Sequence, residues 1–312
     1  MAVMKIIFFG LGSIGQRHAG ILLKSYPHKL YAFRSGKSTK KNALGIEEVY
    51  SWKEVEKIKP DIAFITNPTS LHIETAIKCA KLGIKLFIEK PIGKDLKDLD
   101  KLLKVVSNQK LVTYVGYDVR FHPVIVYLKK FIQNKKALHL RVVCASFYPN
   151  WRPGRNHLEV YTAQKKLGGG VILDLSHELD YVAYLLGPVK KIKGSFEKRG
   201  NVTVDAEDYA DILVNTSTAP ANIHINFLSH QALRQVHLDL EDSTLVGDLL
   251  TGEIKHFKKE KLYKNIKLDY YRDQLFEQQL KYFFKNIDNP QMMNSLIEAA
   301  SLFKQIINLK NG

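Results

Sequence analysis

The stretch Lys5-Ile-Ile-Phe-Phe-Gly-Leu-Gly-Ser-Ile-Gly15 carries the strongest fold signal in this chain. Its first half is a continuous apolar run, typical of a buried strand, and helical spacing follows the last glycine. A G-x-G-x-x-G sequence between a strand and a helix favours a dinucleotide-binding turn. Gly10 permits the tight turn, Gly12 lets the backbone approach a pyrophosphate, and Gly15 lets the helix pack closely on the strand. The predicted phosphate-binding residues are Gly10, Gly12, Ser13, Ile14 and Gly15.

Strands and helices alternate over the rest of the first 120 residues, which predicts a doubly wound parallel sheet of the Rossmann type. Ligands of such sheets bind beyond the carboxyl ends of the strands, where Asn67 and Lys90 lie. Residues 1–120 are therefore predicted to form a dinucleotide-binding domain. Its later strands are predicted at Lys29–Phe33, Asp61–Thr66, Lys85–Ile88 and Leu111–Val115.

The end of the second strand bears on the choice of cofactor. An NAD site usually places an acidic residue there to bond the ribose 2′-hydroxyl, and this chain has Arg34 instead. A guanidinium can bind a 2′-phosphate bidentately, so Arg34, Ser35 and Lys37 favour NADP(H), with NAD(H) still open. The alternative is a basic loop exposed to solvent.

A second chemical signal lies in Gly168–Asp180, where three glycines precede a segment with helical spacing. Asp174, His177 and Asp180 are three residues apart, so we expect them to share one face of a helix. An imidazole flanked by carboxylates on a rigid element can act as an acid/base group. The alternative is a surface helix with a solvated histidine.

Residues 121–312 lose the alternating rhythm, and short strands with brief turns predict an α+β domain with a mainly antiparallel, open-faced sheet. An irregular segment before the glycine run is rich in aromatic and cationic side chains, which suit sugars and phosphates. Asp205, Glu207 and Asp208 are expected at a solvated strand edge. The predicted substrate contacts in the irregular segment are Trp151, Arg152, Arg155 and Tyr161.

The order and spacing of Gly10–Gly15, Glu89-Lys90-Pro91 and Gly168–Asp180 resemble the glucose–fructose oxidoreductase, inositol dehydrogenase and MocA (Gfo/Idh/MocA) family over essentially the whole chain. The resemblance implies that Lys90 bonds the reacting oxygen, that His177 is the acid/base, and that Asp174 holds the substrate or the imidazole. It also implies that Tyr117 and Arg120 reach the substrate and that the open sheet forms a homodimer or homotetramer. The cofactor-binding set that it implies at the strand ends is Asn67, Pro68, His72, Glu89 and Lys90.

Composition excludes several other classes. The formal net charge of +16 is spread along the chain without a long basic block or a nucleic-acid-binding motif, so we expect no dedicated nucleic-acid partner. Cys79 and Cys144 are expected to be core residues, and no metal site is predicted. No apolar run reaches the ~18 residues of a membrane span, and no signal-peptide pattern is visible, so we expect a cytoplasmic protein.

The sequence thus predicts an NADP-favouring oxidoreductase that transfers a hydride between the nicotinamide and a carbon of a sugar or nucleotide sugar. The Trp-Arg-Pro-Gly-Arg segment resembles that of family members associated with surface-glycan precursors. Two alternatives remain open, a free polyol or cyclitol dehydrogenase and an NADP-binding regulator without turnover. The spread of basic charge weighs against the polyol or cyclitol dehydrogenase. The presence of Lys90, Asp174 and His177 weighs against the regulator.

Overall fold

The computed structural model describes residues 2–36, 42–151, 161–202 and 204–311, with Tyr161 described by its backbone only. They form two compact units. The first comprises Met1–Gly116 and Gln279–Ala300, and the second comprises Tyr117–Gln278 and Ser301–Gly312. The division at residues 120 and 121 stays a prediction, and the return of residues 279–300 to the first unit was not anticipated.

The six strands described in the first unit form one parallel sheet in the order β3-β2-β1-β4-β5-β6, which confirms the doubly wound prediction. Every predicted strand is present, and one strand of three residues was missed because it is too short to show a pattern. The strands are β1 (Lys5–Phe9), β2 (Lys29–Phe33), β3 (Glu47–Val49), β4 (Ile62–Ile65), β5 (Lys85–Ile88) and β6 (Thr113–Val115), and the helices are α1 (Ser13–Ser25), α2 (Trp52–Ile58), α3 (His72–Lys81) and α4 (Leu99–Asn108).

Aromatic rings form the centre of the first unit. Phe64 stacks on Phe8 and Phe87 with ring centroids 4.9 Å and 4.4 Å apart, and all three side chains are fully buried. Phe283, from the returning segment, packs edge-on against Phe87 at 5.4 Å. Such pairs add about 0.5–1.5 kcal/mol each beyond the burial of their area. This core fixes the strand ends that carry the predicted cofactor residues.

The eight strands described in the second unit form one sheet in the order β14-β13-β12-β11-β7-β10-β9-β8. Its pairings are antiparallel except that of β7 with β10, which confirms a mainly antiparallel sheet. Helices α8 (Arg272–Lys285) and α9 (Leu296–Asn311) each contain residues of both units. The other elements are α5 (Pro123–Phe131), β7 (Ala137–Ala145), α6 (Val171–Asp174), α7 (Ser176–Leu186), β8 (Val189–Glu197), β9 (Tyr209–Thr216), β10 (Pro220–Asn226), β11 (Leu233–Leu240), β12 (Thr244–Asp248), β13 (Glu253–Lys258) and β14 (Lys261–Lys267).

The two faces of this sheet differ. Along β9, Ala210, Ile212 and Val214 are buried, whereas Asp211 and Leu213 between them are exposed. Helix α7 packs on the buried side, against β7 and β10. Alternation of this kind is typical of a sheet with one covered and one open face.

Among the described helices, none combines the length and the apolar character that crossing a bilayer requires. The described residues likewise contain no cluster of three or more histidine, cysteine or acidic side chains arranged to hold a metal ion. Cys79 and Cys144 are both buried and unbridged, and burial raises the pKa of each thiol. Their expected place in the core is confirmed.

Candidate active site

The glycine turn after β1 fits the pyrophosphate of a dinucleotide. Gly10 has φ +106°, and a Cβ on Gly15 would lie 2.2 Å from the Gly10 carbonyl oxygen, so both positions require glycine. A Cβ on Gly12 would meet nothing within 4 Å, which leaves space beside the first turn of α1. That turn contains no acidic residue and has no side-chain cap. Its N–H groups are therefore available to an anion.

The loops after β4 and β5 are tied together by a histidine. His72 is 2% exposed, with Nδ1 2.9 Å from the Pro91 carbonyl oxygen and Nε2 2.9 Å from that of Asn67. Burial lowers the pKa of His72. The amide of Asn67 donates to Thr75 at 2.9 Å, while Pro68 is exposed. His72 therefore positions Asn67 and the turn next to Lys90, and its own ring is enclosed.

Glu89 is anchored beneath the turn that carries Lys90. Its Oε1 lies 2.7 Å from Nε2 of His18, and both side chains are buried. A Cβ on Gly116 would come within 2.9 Å of the same carboxylate, so the glycine makes room for it. Lys90 itself is half-buried at the carboxyl end of β5. Glu89 is thus buried and anchored, whereas the amine of Lys90 is more accessible.

At the end of β2, Arg34 is paired with an acidic side chain, unlike a residue of a basic loop exposed to solvent. Arg34 is partly exposed, and its Nη1 lies 3.3 Å from Oε1 of Glu48 on the adjacent strand β3. Ser35 is exposed, and Lys37 lies outside the described residues. Sequence reasoning missed Glu48 because it searched for an acid only at the end of β2 itself.

In the second unit, a carboxylate that was not predicted faces His177. Asp118 lies in the 3₁₀ turn Asp118–Phe121, and its Oδ1 is 3.5 Å from Nε2 of His177. Each side chain keeps 12% of its surface exposed. The ring of Tyr117 packs edge-on against the imidazole at 5.7 Å, and burial raises the pKa of this phenol. Asp118 follows Gly-Tyr directly after the sixth strand. A carboxylate just beyond the carboxyl end of a parallel strand is a candidate site residue, and this position could have identified it.

The expectation of one helical face for Asp174, His177 and Asp180 is wrong for Asp174, whereas His177 and Asp180 lie three residues apart in one helix. The segment is two helices, α6 and α7, because Leu175 departs from helical angles with φ −95° and ψ 27°. Asp174 ends α6 and is 7% exposed. His177 is the second residue of α7, two positions after the break. Three-residue spacing therefore does not align Asp174 with His177 as it would in a continuous helix, while it does align His177 with Asp180.

Arg120, which is predicted to reach the substrate, is held by Asp180, and its substrate contact stays a prediction. Its Nε and Nη2 atoms donate to the two carboxylate oxygens at 2.8 Å and 2.7 Å. The side chains are only 3% and 2% exposed. This pair fastens the turn carrying Asp118 to the helix carrying His177. The pair occupies Nε and Nη2 of the guanidinium, so a substrate contact through either atom would compete with Asp180.

The acidic cluster expected at a solvated edge is wrong for two of its three members, because Glu207 is 8% and Asp208 0% exposed. The Glu207 carboxylate occupies the space that a Cβ on Gly170 would need, and it pairs with Lys310. Asp208 accepts from Lys198 at 2.9 Å. The carbonyl of Glu207 also accepts from Val171 at the start of α6. These contacts brace the glycine turn that leads to Asp174.

Trp151 is packed on aromatic neighbours. Its ring lies 5.1 Å from that of Phe227 and 5.6 Å from that of Tyr148, and its indole N–H donates to Ser146 at 2.7 Å. These contacts fix the indole at the last described position before residue 161. Arg152, Arg155 and the side chain of Tyr161 lie outside the described residues, so their predicted role remains a prediction.

Two family models match the chain. Residues 4–117 match an oxidoreductase family with an NAD-binding Rossmann fold, and residues 125–246 match the GFO/IDH/MocA C-terminal domain. A myo-inositol 2-dehydrogenase from Thermotoga maritima is 28% identical over 214 residues, which cover 65% of this chain and 60% of the relative. The matched stretch thus spans less than two thirds of that enzyme.

Solved structures resemble the fold over nearly their full length. A levoglucosan dehydrogenase in complex with NADH has a TM-score of 0.85 at 16% identity, covering 98% of this chain and 96% of the other. A UDP-N-acetylglucosamine 3-dehydrogenase from Acidithiobacillus ferrooxidans has a TM-score of 0.79 at 18% identity, covering 100% and 98%. At these identities the similarity establishes the fold, with both units included.

Proposed function

Since the chain belongs to the Gfo/Idh/MocA oxidoreductase family, we propose that it is an NAD(P)-dependent oxidoreductase acting on a CH–OH group of a sugar or nucleotide sugar. The observation that carries this proposal is the His177 imidazole 3.5 Å from the Asp118 carboxylate. A histidine held beside a carboxylate can remove and return a hydroxyl proton. The bound nicotinamide would accept or donate the hydride.

The chain's own residues have separate roles in this proposal. The turn Gly10–Gly15 binds the pyrophosphate through the N–H groups of α1. Lys90 bonds the oxygen of the reacting carbon and stabilises its negative charge. His177 exchanges the proton, with Asp118 stabilising the protonated ring. Asp174 contacts the substrate, and His72 and Glu89 position the loops that carry Asn67 and Lys90.

We favour a charged substrate, such as a nucleotide sugar of surface-glycan synthesis, because the chain has a formal net charge of +16. A basic surface attracts phosphorylated ligands. The fold similarity to a UDP-N-acetylglucosamine 3-dehydrogenase agrees with such a substrate. The myo-inositol 2-dehydrogenase relative favours the second candidate, a dehydrogenase of a free cyclitol or polyol.

The first test is a fluorescence titration with NADH and, separately, NADPH. Gly12→Asp would place a carboxylate in the open space at the start of α1 and should weaken binding of both at least ~10-fold, since an anion there repels the pyrophosphate. Gly20→Asp is the matched control, because Gly20 lies in the same helix and a Cβ there also meets nothing within 4 Å. Failure of the wild type to bind either nucleotide would contradict the proposed function.

The second test measures turnover on nucleotide sugars and on cyclitols. His177→Ala should retain nucleotide binding and lose about 10²–10⁴-fold in kcat, the usual contribution of acid/base catalysis. His230→Ala is the control, since His230 is exposed and stacked on Phe147 at 4.2 Å. Unchanged turnover of His177→Ala would remove its assigned role. Nucleotide binding without turnover on any substrate would favour a regulator.

We also propose that the open face of the eight-stranded sheet joins copies of the chain into a homodimer or homotetramer. Leu213 is 63% exposed at the middle of β9 on this face. On this proposal Leu213 belongs to a contiguous apolar contact between copies, since such patches mark interaction surfaces.

A further inference from the structure

The side chain of Glu48 pairs with Arg34, which occupies the position that contacts the adenosine ribose in dinucleotide-binding sheets. In such sheets the residue about 20 positions after the glycine motif contacts the ribose 2′ group, and Arg34 stands there in this chain. Glu48 lies on β3, beside β2, with Ala32 as its register partner. Its Oε1 is 3.3 Å from Arg34 Nη1. An acid is therefore present at this site although it comes from the neighbouring strand.

Glu48 is held firmly in this position. The hydroxyl of Tyr50 donates to Oε2 at 2.7 Å, and the amide of Asn42 donates to Oε1 at 2.9 Å. These two hydrogen bonds, together with Arg34, lower the pKa of Glu48, so the carboxylate is ionised at neutral pH. Only 11% of its side-chain surface is exposed, against 32% for Arg34.

In this pair the Glu48 carboxylate already occupies the Arg34 guanidinium as its counter-ion. The 2′-phosphate of NADP(H) would bind the same guanidinium, preferably through two parallel hydrogen bonds. With Glu48 in place, the phosphate must share the guanidinium and approach an ionised carboxylate. A 2′-hydroxyl carries no charge and does not meet this repulsion. The pair therefore penalises the phosphorylated cofactor selectively.

We propose that Glu48 is a specificity-determining residue that holds Arg34 and biases the chain toward NAD(H) over NADP(H). This inference rests on the proposed dinucleotide-binding function. It revises the expectation drawn from Arg34 alone, because the guanidinium is partly neutralised by a residue 14 positions further along the chain.

The adjacent residue provides a matched control. Glu47 precedes Glu48 on the same strand, and its carboxylate lies 3.4 Å from Lys29, with both side chains 57% exposed. Because successive strand residues point to opposite faces, Glu47 and Glu48 leave β3 on different sides. Glu47→Gln and Glu48→Gln remove the same charge from neighbouring positions, and only the latter releases Arg34.

The experiment measures the dissociation constants of NADH and NADPH by fluorescence titration, together with their dependence on salt. We expect the wild type to bind NADH more tightly, and Glu48→Gln to tighten NADPH binding about tenfold or more while NADH changes less than threefold. We expect Glu47→Gln to leave both within twofold. In Glu48→Gln/Arg34→Ala the gain for NADPH should disappear. Tyr50→Phe, which keeps the charge, tests whether disturbing the carboxylate alone produces the change.

The outcomes separate the two proposals. If the wild type binds both nucleotides and Glu48→Gln leaves their ratio unchanged, Glu48 does not set the preference, whereas the oxidoreductase function stands. Tighter wild-type binding of NADPH likewise overturns the inference. A gain in NADPH binding with Tyr50→Phe as large as that with Glu48→Gln contradicts the role of the charge. If neither nucleotide binds, both proposals fail together.

Discussion

Replacing Asp180 with asparagine should destabilise the second unit strongly, because Arg120 would lose its counter-ion in a closed site. The guanidinium is 3% exposed and makes two charge-assisted hydrogen bonds of 2.8 Å and 2.7 Å to Asp180. Breaking a buried pair from one side typically costs about 3–5 kcal/mol. We therefore expect Asp180→Asn to lower the free energy of unfolding by about 4 kcal/mol.

Urea unfolding followed by circular dichroism at pH 7 measures this loss, with Glu241→Gln as the control. Glu241 pairs with Lys136 at 2.8 Å, but the two side chains are 59% and 69% exposed, so the control should cost at most ~1 kcal/mol. The double variant Arg120→Met/Asp180→Leu should recover most of the stability, since it leaves no buried charge. A loss below ~1 kcal/mol for Asp180→Asn would refute the reasoning. If the double variant is stable but binds substrate poorly, Arg120 contacts the substrate as the sequence predicts.

Three further predictions concern pH, backbone and assembly. Burial lowers the pKa of His122 from 6.5 to about 4, so the unfolded state binds more protons below pH 6.5 and acid lowers stability. Between pH 7.5 and 4.5 His122 lowers the free energy of unfolding by about 2.5 kcal/mol. Urea unfolding of His122→Asn should show a pH dependence that is smaller by this amount. Gly170→Ala should destabilise by at least ~1–3 kcal/mol, because φ is +110° and the Cβ would meet Glu207, whereas Gly20→Ala should not. Leu213→Glu, compared with Leu71→Glu, should reduce the molar mass measured by light scattering.

The first unit could be predicted in detail because its signals are local. The apolar runs of β1, β2, β4 and β5 are bounded by polar or glycine residues, and the phosphate turn is contiguous in sequence. Strand β3 escaped prediction because Glu47-Glu48-Val49 has no apolar alternation, and sheet pairing alone makes it a strand. Glu48 was missed for the same reason, since its nearness to Arg34 arises from lateral pairing.

The second unit was less predictable because its buried charges depend on distant partners. Glu207 and Asp208 look solvated in sequence, whereas in the structure they are buried and paired with Lys310 and Lys198. The break at Leu175 likewise has no local signal, since neither glycine nor proline is present between α6 and α7. Spacing of three therefore suggested that Asp174 shares a face with His177, and the backbone does not provide this alignment.

The partners of the buried carboxylates distinguish structural from chemical roles in the second unit. Asp180, Glu178 and Asp208 face the cationic side chains of Arg120, Arg234 and Lys198. These pairs carry fixed charges and so serve to hold elements together. Asp118 faces an imidazole, a common general acid/base group in enzymes. An imidazole beside a carboxylate is the kind of pair that acid/base chemistry uses. This difference supports the proposed role of His177 and Asp118, while Arg120 and Asp180 hold their elements together.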